Sequence, residues 1–169
     1  MTTLILTVVG TDRPGLVAAV ADVVGAHGGN WEQSRLAELA GTFAGVVQVS
    51  VSPDQADDLT DALRALDGLL TVAVHPGADE QRAGDDQRLT IAVLGNDRPG
   101  IVREISAALS AHATSIGELI STTRDAAMAG GRLFEASVVA TIPADSDPDA
   151  LRADLERIAA DLQVDITLD

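Results

Sequence analysis

The ten residues from Val8 to Val17, Val-Val-Gly-Thr-Asp-Arg-Pro-Gly-Leu-Val, return 85 residues later from Val93 to Val102 as Val-Leu-Gly-Asn-Asp-Arg-Pro-Gly-Ile-Val. In each copy an apolar alternating run enters, Asp-Arg-Pro-Gly follows, and a run with helical spacing leaves. That order reads as strand, tight turn and helix N-terminus. The match continues at the same offset, with Ala26 and His27 falling on Ala111 and His112, Asn30 and Trp31 on Ser115 and Ile116, and Gln33 on Glu118. Further on, Phe43 aligns with Phe134 at an offset of 91, so about six residues are added around Ala126 to Gly131. The repeating unit is therefore a whole domain of about 80 residues and not a solenoid repeat. The expected boundaries are a first domain over residues 1–76, a linker over 77–86 that is rich in Gly, Ala and charge, and a second domain over 87–169.

Within the first copy, Leu4 to Val9 alternates as a strand. Leu16, Val20, Val23, Val24 and His27 follow helical spacing until Gly28-Gly29 ends the helix. Asp12 is expected at or beside the cap of that helix, with Pro14 in its first turn. Asn30 to Leu39 and Thr42 to Val51 read as two strands turning at Gly41. A helix after Pro53-Asp54 buries Leu59, Leu63 and Leu66 and stops at Gly68, before a last strand through Leu70, Val72 and Val74. The second copy repeats this order, with its final helix capped near Asp147-Pro148 and its last strand from Val164 to Leu168. The fold class is α+β: two ferredoxin-like βαββαβ domains, each a four-stranded antiparallel sheet with two helices on one face. The opposite face mixes Val46 and Val139 with Gln48, Ser50, Ser137 and Thr141, a composition that suggests association and a homodimer.

Composition narrows the chemistry. The formal net charge is −15, with no basic stripe, and such a surface repels phosphate backbones, so no direct contact with nucleic acid is expected. Cys, Lys and Tyr are all absent. This removes disulfides, thiolate metal sites, Schiff-base chemistry and a phosphate-loop lysine, and makes a reducing compartment the default. The N-terminal residues run straight into a strand, and no apolar run approaches the length that spans a bilayer, so a cytoplasmic protein without a membrane partner is expected. No enzyme motif is present, no catalytic residue or cofactor is assigned, and His27, His75 and His112 do not form a metal pattern.

A helix N-terminus offers unpaired amides and a positive dipole end, where a carboxylate is a natural guest. Gly15 and Gly100 either let such a guest approach the backbone or let the helix pack tightly on the sheet. Arg13 and Arg98 either reach a carboxylate, pair with nearby acids or stand in solvent.

A strand ending in Gly, then Asp-Arg-Pro-Gly-(Leu/Ile)-Val and a helix, inside βαββαβ, resembles the ACT domain, a small-molecule regulatory module of amino-acid metabolism. The resemblance covers nearly the whole chain, twice, with no catalytic domain attached. In this it is similar to the glycine cleavage system transcriptional repressor group of tandem ACT proteins. The resemblance implies an amino-acid ligand where the β1–α1 turn of one copy faces the second strand of another. On matching positions this implies Asp12, Arg13, Pro14, Gly15 and Leu16 with Asn30, and Asp97, Arg98, Pro99, Gly100 and Ile101 with Ser115. Asn30 becoming Ser115 shortens the polar side chain, so the two sites need not be equivalent. The function implied is a non-catalytic sensor of a small amino acid, with glycine or serine as candidates. It would act on a protein partner, either a DNA-binding regulator or a metabolic enzyme. The alternatives are a ligand-free dimerisation module and a detached regulatory subunit of an amino-acid or folate enzyme.

Overall fold

The computed structural model describes residues 1–78, 86–127 and 130–169. Most of the stretch read as a linker, residues 79–85, thus lies outside the described residues, as do 128 and 129 of the added loop. The chain divides into two compact units, Met1–Gln81 and Arg82–Asp169. In the first, β1 (Thr2–Thr11), α1 (Leu16–Ala26), β2 (Asn30–Leu39), β3 (Thr42–Val51), α2 (Ala56–Arg64) and β4 (Thr71–Pro76) form an antiparallel sheet in the order β2-β3-β1-β4. The second repeats it with β5 (Gln87–Asn96), α3 (Ile101–Ala111), β6 (Ser115–Asp125), β7 (Arg132–Ile142), α4 (Pro148–Leu162) and β8 (Val164–Leu168), in the order β6-β7-β5-β8.

Alternation sets which face is covered. Leu4, Leu6 and Val8 of β1 and Val47, Val49 and Val51 of β3 are buried beneath Leu16, Val20 and Val24 of α1 and Leu59 and Leu63 of α2. In the second unit Ile91, Val138, Ala140 and Ile142 meet Ile101, Ile105 and Leu109 of α3 and Leu151, Leu155 and Ile158 of α4. Each fully buried aliphatic side chain stabilises by about 1.5–3 kcal/mol over exposure. Aromatics add little area, since Phe134 is buried while Trp31 and Phe43 only flank their core. The helix-free face keeps the mixed composition expected, with Val46, Leu94 and Ile120 all exposed. Among the described residues no helix is long and apolar enough to cross a membrane.

The β2–β3 turn is Ala40-Gly41, both at positive φ (51° and 80°), the two-residue geometry that matches strand twist. Asp147 caps α4, its Oδ1 accepting from the amides of Asp149 at 3.0 Å and Ala150 at 3.2 Å. A bulge breaks the register of β2 between Trp31 and Gln33, and the same bulge recurs in β6 between Ile116 and Glu118.

Gly10 and Gly95, the first glycines of the two signatures, allow close approach of neighbouring chain. A Cβ at Gly10 would lie 2.9 Å from Leu70 Cδ2 and 3.1 Å from Leu69 O; one at Gly95 would lie 2.5 Å from Val164 Cγ1 and 2.9 Å from its Cα. Gly95→Ala is expected to cost about 1–3 kcal/mol by overpacking, because backbone must shift to admit the methyl group. The measurement is the urea midpoint of the full chain, and an unchanged midpoint would mean that β8 yields freely.

Candidate functional site

The two Asp-Arg-Pro-Gly corners share one construction. The amide of Asp12 donates to Gly41 O at 2.9 Å, and that of Asp97 to Arg132 O at 2.8 Å, so each corner is braced by its neighbouring hairpin. The residue at the head of each first helix is then glycine in the left-handed region, Gly15 at φ 92° and Gly100 at φ 100°. This corrects the expectation for Asp12 and Pro14. Asp12 is still tied to the hairpin three residues before the cap position, and Pro14 precedes the cap instead of opening the helix. The amide of Ala19 donates to Gly15 O, and that of Glu104 to Gly100 O, both at 2.9 Å, and no side chain caps either helix.

A Cβ on Gly15 would meet nothing within 4 Å, and one on Gly100 only Arg103 Nη2 at 3.8 Å. Tight packing on the sheet therefore does not explain these two glycines. Positive φ does, and the empty space beside Gly15 leaves the first-turn amides of α1 approachable. Leu16 and Ile101 turn their side chains into the cores, so only their backbone faces the corner.

Arg13 and Arg98 do something the sequence reading did not include. Arg13 Nη2 donates to Gly68 O at 3.3 Å in the α2–β4 connection. Arg98 Nη1 donates to Leu162 O at 3.2 Å and Asp161 O at 3.5 Å, at the end of α4. α4 has no basic residue in its own last turn, so Arg98 supplies the positive charge that a helix C-terminus favours. Beside Arg13 lies an open cleft of about 510 Å³ lined by Thr11, Asp12, Asp67, Gly68 and Leu69. The second unit has a differently placed hollow of about 310 Å³, between the head of α3 and the end of α4, lined by Arg98, Gly100, Arg103, Glu104, Arg157 and Asp161. Both volumes suit a small ligand. Their charge differs, since Arg103 and Arg157 have no equivalent beside Arg13.

Asn30 and Ser115 stand elsewhere. Asn30 is opposite Ser50, which is opposite Thr3, at the start of β1; the corner follows Thr11 at its other end. At ~3.3 Å per residue, about 25 Å of strand separates them. Ser115, opposite Thr141 and through it Arg88, has the same relation to the corner after Asn96. Within one unit, then, Asp12, Arg13, Pro14 and Gly15 come together, as do Asp97, Arg98, Pro99 and Gly100, while Asn30 and Ser115 do not join them.

Asn30 has partners of its own. Its Nδ2 donates to Glu32 Oε1 at 2.8 Å, and Ser50 Oγ donates to the same oxygen at 2.6 Å. The hydrogen bond from Ser50, then that from Asn30, holds the Glu32 carboxyl below the usual carboxylate range. The sequence reading placed Ser50 on the helix-free face but did not single out Glu32 or the bond between them. The signal available was an acid two positions after Asn30 in a strand that otherwise carries few charges.

His27 and His112 end α1 and α3 as expected, but differ in bonding. His27 Nδ1 lies 2.8 Å from Val23 O, whereas His112 Nε2 lies 2.7 Å from Asp154 Oδ2 on α4. His112, then Arg157, lowers the pKa of Asp154. Among the described residues no group of three or more His, Cys, Asp or Glu is placed to hold a metal ion.

The model of the ACT domain family matches residues 2–75 and again residues 87–169. The chain belongs to the ACT domain family. It is 29% identical over 147 residues to the glycine cleavage system transcriptional repressor of Escherichia coli (strain K12), covering 85% of this chain and 77% of that protein. Among solved structures, the chain resembles a protein of unknown function from Galdieria sulphuraria, with TM-score 0.89, 27% identity and 99% and 97% of the two chains covered. A candidate glycine cleavage system transcriptional repressor shares the fold at TM-score 0.69 and 19% identity, over 99% of this ACT protein and 96% of its own chain.

Two outcomes check this site. Gly15→Ala should destabilise the protein by about 1–2 kcal/mol through backbone strain alone, since the methyl group has room; equal stability in urea would show that the corner relaxes. Ser50→Ala should raise the Glu32 titration toward the usual carboxylate range, followed by NMR of its side-chain carboxyl. Because folding depresses this pKa, its stabilisation is present above the unfolded value and lost as pH falls through the folded one. An unmoved titration would mean that the Ser50 bond is not made in solution.

Proposed function

We propose that this ACT protein is a non-catalytic regulator that senses a small amino acid, glycine or serine first among the candidates, and acts through a protein partner. The observation that carries this reading is the open corner at Gly15. Helix α1 begins with no capping side chain and no acid in its first turn, and the open space beside Gly15 leaves its leading amides and positive dipole end approachable. A carboxylate there gains several backbone donors at once, which isolated exposed arginines would not give.

Membership of the ACT family and likeness to a transcriptional repressor support a regulatory role. With a net charge of −15, an effect on transcription would run through a DNA-binding partner. The same reading places the two domains at 1–76 and 87–169 with a linker between, in a cytoplasmic homodimer, and pairs each signature corner with an Asn30 or Ser115 supplied by another copy of the domain. Ligand would then favour whichever association completes the site.

Calorimetric titration of the full chain with each of the twenty amino acids tests the reading. Saturable binding of glycine or serine, with weaker binding of larger side chains, is the expected result. No heat from any of the twenty would overturn it.

A further inference from the structure

Helix α1 is apolar on both of its faces. Leu16, Val20 and Val24 enter the core, while Val17, Ala18, Ala21, Asp22 and Gly25 are exposed, and Asp22 is the one charge among them. A helix that covers a sheet ordinarily turns polar side chains to water. Helix α3 does so: Arg103, Glu104, Ser106 and Ser110 stand where α1 has Ala18, Ala19, Ala21 and Gly25. None of these residues is buried in either helix, so packing within the units does not impose the difference. A Cβ on Gly25 would meet nothing within 4 Å, so the fold itself admits a side chain there.

The helix beside α1 carries charge of one sign. Both helices cover the same core, and Asp54, Asp57, Asp58 and Asp61 are exposed at positions i, i+3, i+4 and i+7, the repeat of one helical face. Asp57 and Asp58 lie in the first turn of α2, where the helix dipole favours them. Asp61 lies in the last turn and Asp67 beyond it, where the dipole does not. Arg64, 3.6 Å from Asp61, is the one base of this helix. In α4, by contrast, Arg152 and Arg157 are interspersed with Asp149, Glu156 and Asp161.

A smooth apolar strip beside a row of carboxylates is complementary to a helix with an apolar stripe on one side and Lys or Arg on its flank. Small outer residues allow such a helix to approach closely, to an axis separation of about 8 Å. A second copy of this chain does not meet that description, since an isologous contact on this face brings together two surfaces of the same sign. We infer that the outer face of α1, with the acid row of α2, is a docking surface for a basic amphipathic helix of another protein. This rests on the reading of the chain as a regulator that acts through a protein partner, and adds to it the surface and the chemistry of that partner.

The probe is a synthetic peptide of about 18 residues, long enough to form a helix, with a Leu and Ala stripe flanked by Arg. It is titrated into the isotope-labelled full chain and followed by amide NMR, beside a peptide of the same composition in scrambled order that controls for charge alone. Saturable shifts confined to α1 and α2 are expected, with the scrambled peptide about tenfold weaker or more. Ala21→Gln, which keeps a good helix former, and Asp58→Asn combined with Asp61→Asn should each weaken the ordered peptide about tenfold. Asp145→Asn combined with Asp165→Asn removes the same charge from the second unit and should change affinity by less than about twofold. Circular dichroism checks that each variant keeps its fold. Absence of shifts on α1, equal binding of the scrambled peptide, or undiminished affinity in Ala21→Gln would overturn the inference. So would a dimer of the full chain that Ala21→Gln dissociates, because the occupant would then be a second copy. None of these outcomes alters the heats of the amino-acid titration, so the sensor reading fails or stands separately.

Discussion

A left-handed residue at the head of α1 and of α3 is the constraint on which each unit turns. β1 is still hydrogen-bonded to its hairpin at Asp12, yet Leu16 must already point into the core beneath the first helix. Reversing from strand to helix in so few residues needs positive φ, which costs an L-residue about 1–2 kcal/mol and glycine almost nothing. The glycine that solves this problem brings no side chain to cap the helix. A folding requirement thereby creates a chemical opening: the leading amides of α1 have no internal acceptor from the cap position.

The arginine beside that glycine serves the other end of the unit. Helix α4 finishes without a basic residue, and Arg98 crosses from the corner before α3 to bond its last carbonyls; α2 ends on its own Arg64, and Arg13 bonds Gly68 in the connection beyond it. Each signature therefore ties the start of the first helix to main chain at or beyond the end of the second. An arginine already spent on main-chain carbonyls is not a ready clamp for a ligand carboxylate, which shifts that task to the backbone.

The elements were legible because the cores are aliphatic and strictly periodic. Leu4, Leu6 and Val8 alternate, Ile101, Ile105, Ala108 and Leu109 keep helical spacing, and burial follows both patterns. What could not be read were choices between polar partners of similar local merit. Asp12 has the chemistry of a cap, but the carbonyl of Gly41 holds its backbone away from the helix, and that bond spans a hairpin. Arg13 looks solvated until the α2–β4 connection comes alongside it. The orientation of Glu32 depends on a bulge, and no periodicity announces an extra residue in a strand.

Duplication separates what the fold demands from what it permits. Positions facing the cores remain apolar in both units, and both corners retain glycine, since packing in the first case and positive φ in the second allow little else. The bulge is different. A Cβ on Gly117 would touch only Val139 O, at an ordinary 3.6 Å, and its backbone needs no positive φ. Nothing in the fold therefore requires glycine at that position of β6, just as nothing requires glutamate at the same position of β2. Glu32 draws in Asn30 and Ser50 and still leaves an oxygen open, an arrangement that folding neither needs nor rewards beyond two exposed hydrogen bonds. Local hydrogen bonds and not the core therefore set Glu32, which is why the two units differ at the bulge while their cores and corners agree.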